Sequence, residues 1–159
     1  MNRKHSLIQL TISVQLGLTG YNSINDISVQ LGLTGYRSLL PPYMEMFPED
    51  GYVTVKEEGL KPTFYHDCSD EDVAWAKSKL GKQALKPMGA PLATSDHKFG
   101  GVRRVYIECL QDRTLVPEFQ KQMYTDLPCE KVISMDTSHS PFMSAPKELA
   151  NHLMSLPSL

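Results

Sequence analysis

The most informative segment for the fold is 102–110, which reads Val102-Arg103-Arg104-Val105-Tyr106-Ile107-Glu108-Cys109-Leu110. Its apolar run of β-branched and aromatic residues predicts a buried strand. The pattern from Leu115 to Leu127 predicts a helix with a proline in its first turn. A second strand is predicted at 131–135, and a final helix begins within 144–148. Strand and helix alternating through short connections predict parallel strands and right-handed crossovers, an α/β architecture.

Polar residues follow both predicted strands. Gln111-Asp112-Arg113 comes after the first strand, and Asp136-Thr137-Ser138-His139-Ser140 comes after the second. Ligands bind at the carboxyl ends of the strands in open parallel sheets, so we expect a carboxylate and an imidazole to meet there. A carboxylate that accepts from the Nδ1–H of a histidine leaves Nε2 free to act as a base. Asp112 and His139 are therefore candidate catalytic residues. The alternatives are that His139 is an ordinary surface residue, or that Asp136 is the acid.

The segments 105–113 and 136–146 resemble the acid loop and the catalytic-histidine loop of α/β-hydrolases of the esterase and methylesterase-like group. In that family the nucleophile precedes the acid and the acid precedes the histidine, and Asp112 before His139 fits this order. The resemblance implies hydrolysis of a carboxylic ester, with Asp112 as the orienting acid and His139 as the general base. It implies a small ester substrate, no metal and no organic cofactor.

The resemblance extends upstream, where the segments 64–68 and 72–76 resemble the lid of that family. Phe64 and Trp75 are expected to line an acyl or alcohol pocket, unless they pack within the lid. The run His66-Asp67-Cys68 is interpreted as lid structure and not as a Cys/His site. A helix is predicted to begin after a cap at Ser69 or Asp70. Its apolar face comprises Val73, Ala76 and Leu80.

An internal duplication occupies the N-terminus, because Ile12–Tyr21 recurs unchanged as Ile27–Tyr36. Two copies are too few for a solenoid, so we interpret them as a tandem duplication of a short strand and turn. Residues 86–101 are rich in glycine and proline and indicate a loop or linker. We expect three regions: a duplicated segment of uncertain structure at 1–37, a lid-like region at 38–92, and a C-terminal α/β-hydrolase portion at 93–159.

The nucleophile motif of the family, Gly-x-Ser-x-Gly, does not occur in this sequence. In the nearest patterns Thr19 and Thr34 replace the serine, and Tyr21 and Tyr36 replace the final glycine. The extra methyl group and the lost glycine both crowd a turn that needs small residues. The oxyanion loop of the family is also absent. We therefore expect a truncated or degenerate α/β-hydrolase with a partial fold: the last parallel strands and helices, a lid and an irregular N-terminal segment. The alternative is a non-catalytic binding or interaction protein. Carbon–carbon lyases of the same scaffold need the same serine.

Composition narrows the class of protein. The 159 residues are 41% hydrophobic and carry a net charge of −2, which is ordinary for a globular domain and argues against nucleic-acid binding. The three cysteines are widely spaced, so neither a disulfide framework nor a zinc site is expected. No apolar stretch is long enough to span a membrane, and no secretory signal is recognisable. We expect a cytoplasmic protein without membrane partners, which could form a homo-oligomer through an exposed sheet edge.

Overall fold

A computed structural model describes residues 37–88, 95, 97 and 102–156. The N-terminal duplication and most of the predicted linker lie outside these residues. No helix among the residues that the structure describes is long and apolar enough to cross a membrane. In chain order the elements are a 3₁₀ turn (Pro41–Tyr43), β1 (Met44–Phe47), β2 (Tyr52–Val55), α1 (Glu57–Phe64), α2 (Asp70–Lys79), β3 (Gln83–Ala84), α3 (Leu85–Met88), β4 (Val105–Cys109), α4 (Pro117–Asp126), β5 (Lys131–Met135), α5 (Pro141–Ser144) and α6 (Pro146–Met154).

The predicted parallel unit is confirmed. β4 and β5 pair in parallel from Val105 opposite Lys131 to Cys109 opposite Met135, and α4 connects them. The strand begins three residues later than the predicted start at Val102. Arg103 instead forms a two-pronged ion pair with Glu130 ahead of the first strand pair.

An antiparallel sheet in the order β1-β2-β3 precedes the parallel unit. The sequence indicates only β2 clearly, because β1 (Met-Glu-Met-Phe) lacks β-branched residues and β3 has two residues. Residues 48–51 form the hairpin connection between β1 and β2. Gly51 adopts a φ of 72° there, a left-handed conformation that suits glycine.

α1 was not predicted from the sequence, because it contains both Gly59 and Pro62, two residues that disfavour helix interiors. Tertiary contacts explain why the helix forms. A Cβ atom built on Gly59 would lie 2.4 Å from Cβ of Tyr43, so the missing side chain lets α1 approach the 3₁₀ turn closely. Leu60 and Thr63 are buried on the same helix. Packing therefore outweighs weak local helix propensity in this segment.

α2 agrees with its predicted cap and only in part with its predicted apolar face. The side chain of Ser69 accepts a hydrogen bond from the backbone N–H of Asp72, the geometry of an N-cap. Ala76 is buried and Val73 is half-buried, but Leu80 is exposed. The prediction for Leu80 was wrong, because the helix ends at Lys79 and the backbone at Leu80 is already extended.

Two apolar clusters join the early elements to the parallel unit. Leu115, just before α4, packs with Leu40, Met44 and Val53. Met143 of α5 packs against a second cluster formed by four residues of α1, α2 and their connection. The turns that follow β4 and β5 therefore rest on residues from 40–76. The four residues of the second cluster are Leu60, Tyr65, Cys68 and Ala76. The packing of both clusters fixes the surroundings of the candidate site.

Candidate active site

Asp112 lies in the turn after β4, and its carboxylate organises that turn. Oδ1 accepts hydrogen bonds from the backbone N–H groups of Thr114 at 2.7 Å and of Leu115 at 2.9 Å. Aspartate commonly bonds the backbone two residues ahead in this way, so the local sequence itself favours the turn. The side chain is only 4% exposed, and the second oxygen remains available for another donor.

His139 supplies that donor from the turn after β5. Its Nδ1 lies 2.8 Å from Oδ2 of Asp112. An ionised carboxylate can only accept, so Nδ1 carries the proton and the neutral ring presents Nε2 as a lone-pair acceptor. Nε2 forms no hydrogen bond with any described residue. The structure thus brings together the acid and the histidine that the sequence singled out, in the geometry of an oriented base.

The two residues predicted to line a pocket lie in different surroundings. The ring of Phe64 packs edge-on against the imidazole of His139, with 5.2 Å between ring centroids. Trp75 is 59% exposed. On α2 the buried residue is Ala76, and Trp75 lies about 100° away around the helix, toward solvent. The placement of Trp75 therefore does not support the predicted pocket role, whereas Phe64 forms an apolar wall beside the imidazole of His139.

Asp136, the rival acid, has a different partner. Its Oδ1 accepts a hydrogen bond from the side-chain amide of Gln111 at 2.8 Å. Gln111 also donates its backbone N–H to the carbonyl of Thr137 at 3.0 Å. These contacts tie the two turns together at the end of the sheet. The side-chain partner of Asp136 is thus Gln111, whereas His139 bonds Asp112.

The cysteines are poor candidates for a nucleophile. Burial raises the pKa of Cys68 to about 11, and the neighbouring carboxylate of Asp67 acts in the same direction. Burial also raises the pKa of Cys109 and of Cys129. A thiol must ionise to attack, so these side chains stay protonated and unreactive near neutral pH. All three cysteines are free, and the interpretation of His66-Asp67-Cys68 as structural fits these shifts.

No hydroxyl in the described part of the chain forms a hydrogen bond with Nε2 of His139. Thr19 and Thr34, the nearest matches to a nucleophile motif, lie outside the described residues. Within 37–88 and 102–156, no group of three or more His, Cys, Asp or Glu side chains could hold a metal ion. The hydrogen bond from His139 to Asp112 can orient the imidazole so that its Nε2 accepts one proton.

Sequence reasoning missed the contacts that the connection between α1 and α2 makes with both turns. Asp67 Oδ2 accepts a hydrogen bond from the backbone N–H of Ser138 at 2.7 Å, and His66 Nε2 lies 2.9 Å from the carbonyl of Gln111. Asp67 and Ser138 are 71 positions apart, so no local pattern indicates their contact.

Comparison with known sequences finds relatives among plant esterases. The chain is 33% identical over 98 residues to putative methylesterase 11, chloroplastic, of Arabidopsis thaliana, covering 61% of this chain and 25% of that protein. It is 38% identical over 107 residues to methyl jasmonate esterase 1 of Vitis vinifera, covering 62% of this chain and 40% of that protein. No protein-family model matches the chain.

Comparison with solved structures also finds an esterase of similar fold. Polyneuridine aldehyde esterase, which in Rauvolfia serpentina is 27% identical over 95 residues, has a crystal structure that matches with a TM-score of 0.64. That match has 23% identity and covers 72% of this chain and 47% of the esterase chain. The chain thus spans about a quarter to two fifths of the length of the curated relatives it matches.

Proposed function

Because this chain carries part of the α/β-hydrolase fold and is similar to the esterase-like group of that superfamily, we propose that it serves the hydrolysis of carboxylic esters, with His139 as the general base and Asp112 as the carboxylate that orients it. The 2.8 Å hydrogen bond between the buried Asp112 and His139 is the observation that carries this proposal. A buried carboxylate fixes the imidazole tautomer and stabilises the imidazolium that forms when the base takes a proton.

The proposed chemistry uses only Asp112, His139 and water. Family members attack the ester through a serine, whereas here His139 activates water. Nε2 takes a proton from water as its oxygen adds to the ester carbonyl carbon, which forms a tetrahedral intermediate. The intermediate expels the alcohol, which receives its proton from the imidazolium, and the carboxylic acid remains. General base catalysis of this kind contributes about 100-fold or somewhat more, so turnover is slow.

The substrate proposed is a small ester. Phe64 offers an apolar surface beside the imidazole, which suits an acyl or alkyl group and not a charged one. Relatives named as methylesterases and as a methyl jasmonate esterase point in the same direction. We therefore propose small methyl and aryl esters as the first compounds to assay.

The test is hydrolysis of p-nitrophenyl acetate by the chain and by three variants. We expect His139→Ala to lower the rate about 100-fold toward that of buffer. Asp112→Asn keeps an oxygen for the Thr114 and Leu115 N–H groups but presents an amide to Nδ1, which favours the unproductive tautomer. It should therefore lower the rate comparably without unfolding the turn. His152→Ala removes a histidine of α6 and should leave the rate unchanged. Equal rates for the wild type and His139→Ala would overturn the proposal.

A non-catalytic binding or interaction role is the second candidate. It is favoured by the two-stranded sheet, in which β4 and β5 pair only with each other among the described residues. Exposed strand edges can pair with another chain, including a second copy. A stable dimer in light scattering, together with no hydrolysis that depends on His139, would favour this role over the first.

The location proposed is the cytoplasm. The three free cysteines suit a reducing compartment. Relatives named chloroplastic make the chloroplast the competing location, and fractionation of the native protein distinguishes the two.

A further inference from the structure

The segment Thr63–Asp67, which we call the clamp segment, ends α1 and begins its connection to α2. It lies between the turn that carries Asp112 and the turn that carries His139, and it forms hydrogen bonds with both. Neither turn is near it in sequence, since the separations run from 45 to 74 positions. The question is what this segment does for the acid–histidine pair.

Two hydrogen bonds connect the clamp segment to the turn after β4 that carries Asp112, which we call the acid turn. The hydroxyl of Thr114 donates to the carbonyl of Thr63 at 3.2 Å, and Nε2–H of His66 donates to the carbonyl of Gln111 at 2.9 Å. Thr63 and Thr114 are buried, so breaking their contact would leave polar atoms without water. The acid turn is therefore held on both sides of Asp112.

Two further hydrogen bonds connect the clamp segment to the histidine turn. The backbone N–H of Ser138 donates to Oδ2 of Asp67 at 2.7 Å, and the hydroxyl of Ser138 donates to the carbonyl of Phe64 at 3.2 Å. Ser138 is fully buried and directly precedes His139. Both donors of this residue are thus satisfied by the clamp segment, which restrains the backbone from which the imidazole projects.

Asp67 is suited to its role because it is ionised at neutral pH. Burial raises the pKa of its carboxyl, but the hydrogen bonds from Ser138, Ser144 and Cys68 together outweigh that effect, and the pKa lies below its usual value. A hydrogen bond to a carboxylate is shorter and stronger than one between neutral groups, which fits the 2.7 Å distance.

We infer that Asp67 is a positioning residue that, through Ser138, holds His139 so that Nδ1 meets Asp112. The inference deepens the proposed function and rests on it for its biological meaning. Displacing a catalytic base by about 1 Å can lower the reaction rate about 100-fold. A contact one residue from His139 can therefore change the rate. Asp67 bonds Ser138, whereas the imidazole bonds Asp112, so the effect of Asp67 passes through the backbone of 138–139.

The test uses the Nδ1 proton of His139, observed by NMR in ¹⁵N-labelled full chain, because this signal does not depend on catalysis. The signal is assigned by its absence in His139→Ala. Asp67→Ala removes the acceptor, and we expect the Nδ1 proton to exchange with water at least about tenfold faster, or to vanish. Asp67→Asn retains an oxygen that can accept from Ser138, and we expect it to restore most of the protection.

Asp70→Ala is the matched control, since Asp70 is an exposed aspartate of the same region whose ion-pair partner is Lys61 and not either turn. It should leave the Nδ1 exchange unchanged. Wild-type exchange in folded Asp67→Ala, or equal exchange in the alanine and asparagine variants, would overturn the inference. If the proton behaves as expected but no ester is hydrolysed, the proposed function fails while the positioning role stands. If Asp67→Ala does not fold, Asp67→Asn is compared with Asp70→Ala. Rapid exchange of the His139 Nδ1 proton in Asp67→Asn, with slow exchange in Asp70→Ala, would then refute the inference.

Discussion

At the scale of single residues, Gly59 shows how one missing side chain permits a contact. A Cβ atom there would lie 2.4 Å from both Cβ and Cγ of Tyr43, atoms too close to the backbone to move cheaply. Gly59→Ala gains about 1 kcal/mol of helix propensity but forces α1 away from the 3₁₀ turn. We expect a net loss of about 1–3 kcal/mol in the free energy of unfolding, measured by urea denaturation.

Gly81 provides the matched control at the same scale. No atom lies within 4 Å of a Cβ built at this position. Gly81→Ala should therefore leave the stability unchanged or raise it slightly, by restricting the unfolded chain. Equal losses for Gly59→Ala and Gly81→Ala would show that the close approach of Tyr43 is not the cause.

At the scale of elements, Gln120 explains how α4 secures the end of β4. Its side-chain amide accepts from the backbone N–H of Cys109 at 2.9 Å and donates to the carbonyl of Cys109 at 2.9 Å. It also donates to the carbonyl of Leu115 at 2.7 Å. At Cys109 the amide thus makes the two hydrogen bonds that the backbone of a neighbouring strand would make with β4. Because this side chain is polar, the apolar pattern of the helix did not indicate its burial.

Gln120→Ala should be among the more destabilising substitutions in this helix. It removes the partner of the buried Cys109 N–H and of the Leu115 carbonyl, while the Cys109 carbonyl keeps the backbone N–H of Asp112 as a donor. We expect a loss of roughly 2–4 kcal/mol in the free energy of unfolding. Gln122→Ala, at an exposed position of the same helix, should change it by less than about 0.5 kcal/mol. Thermal denaturation followed by circular dichroism measures both. A small loss for Gln120→Ala would indicate that water replaces the amide.

At the scale of the whole molecule, the early elements and the parallel unit stabilise each other. Leu115 packs into the cluster of Leu40, Met44 and Val53, and Met143 packs into the cluster of α1 and α2. The clamp segment adds polar contacts between the same two parts. The acid–histidine geometry therefore depends on residues well outside the two strands that carry it.

The contact between Asp67 and Ser138 predicts that the stability of the fold decreases in acid. The pKa of Asp67 is lowered in the folded protein, so its stabilising contribution is complete above the ordinary value of 3.8 and is lost as the pH falls through the folded value. We expect Asp67→Asn to be less stable than the wild type at pH 7, with the difference narrowing toward pH 3. Thermal midpoints measured across this range test it. A difference that stays constant with pH would contradict the assignment.

The order of strand, helix and strand around the site, and the positions of the two turns, could be predicted from the amino-acid sequence alone. Apolar runs, a proline at a helix start and polar residues after strands are local signals, because each acts over a few neighbouring residues. Asp112 could be proposed as the acid on similar grounds, because it follows a predicted strand and precedes His139 in the chain order of the family it resembles.

Three features could not be predicted and became visible in the folded chain: which carboxylate meets His139, where Phe64 and Trp75 lie, and which residues hold the pair together. Asp112 and Asp136 both follow strands, and Gln111 binds Asp136 while His139 binds Asp112. The contact of Asp67 with Ser138 joins residues 71 positions apart. Such contacts form because folding brings distant segments to one end of the sheet, and no local pattern of residues encodes the distance between them.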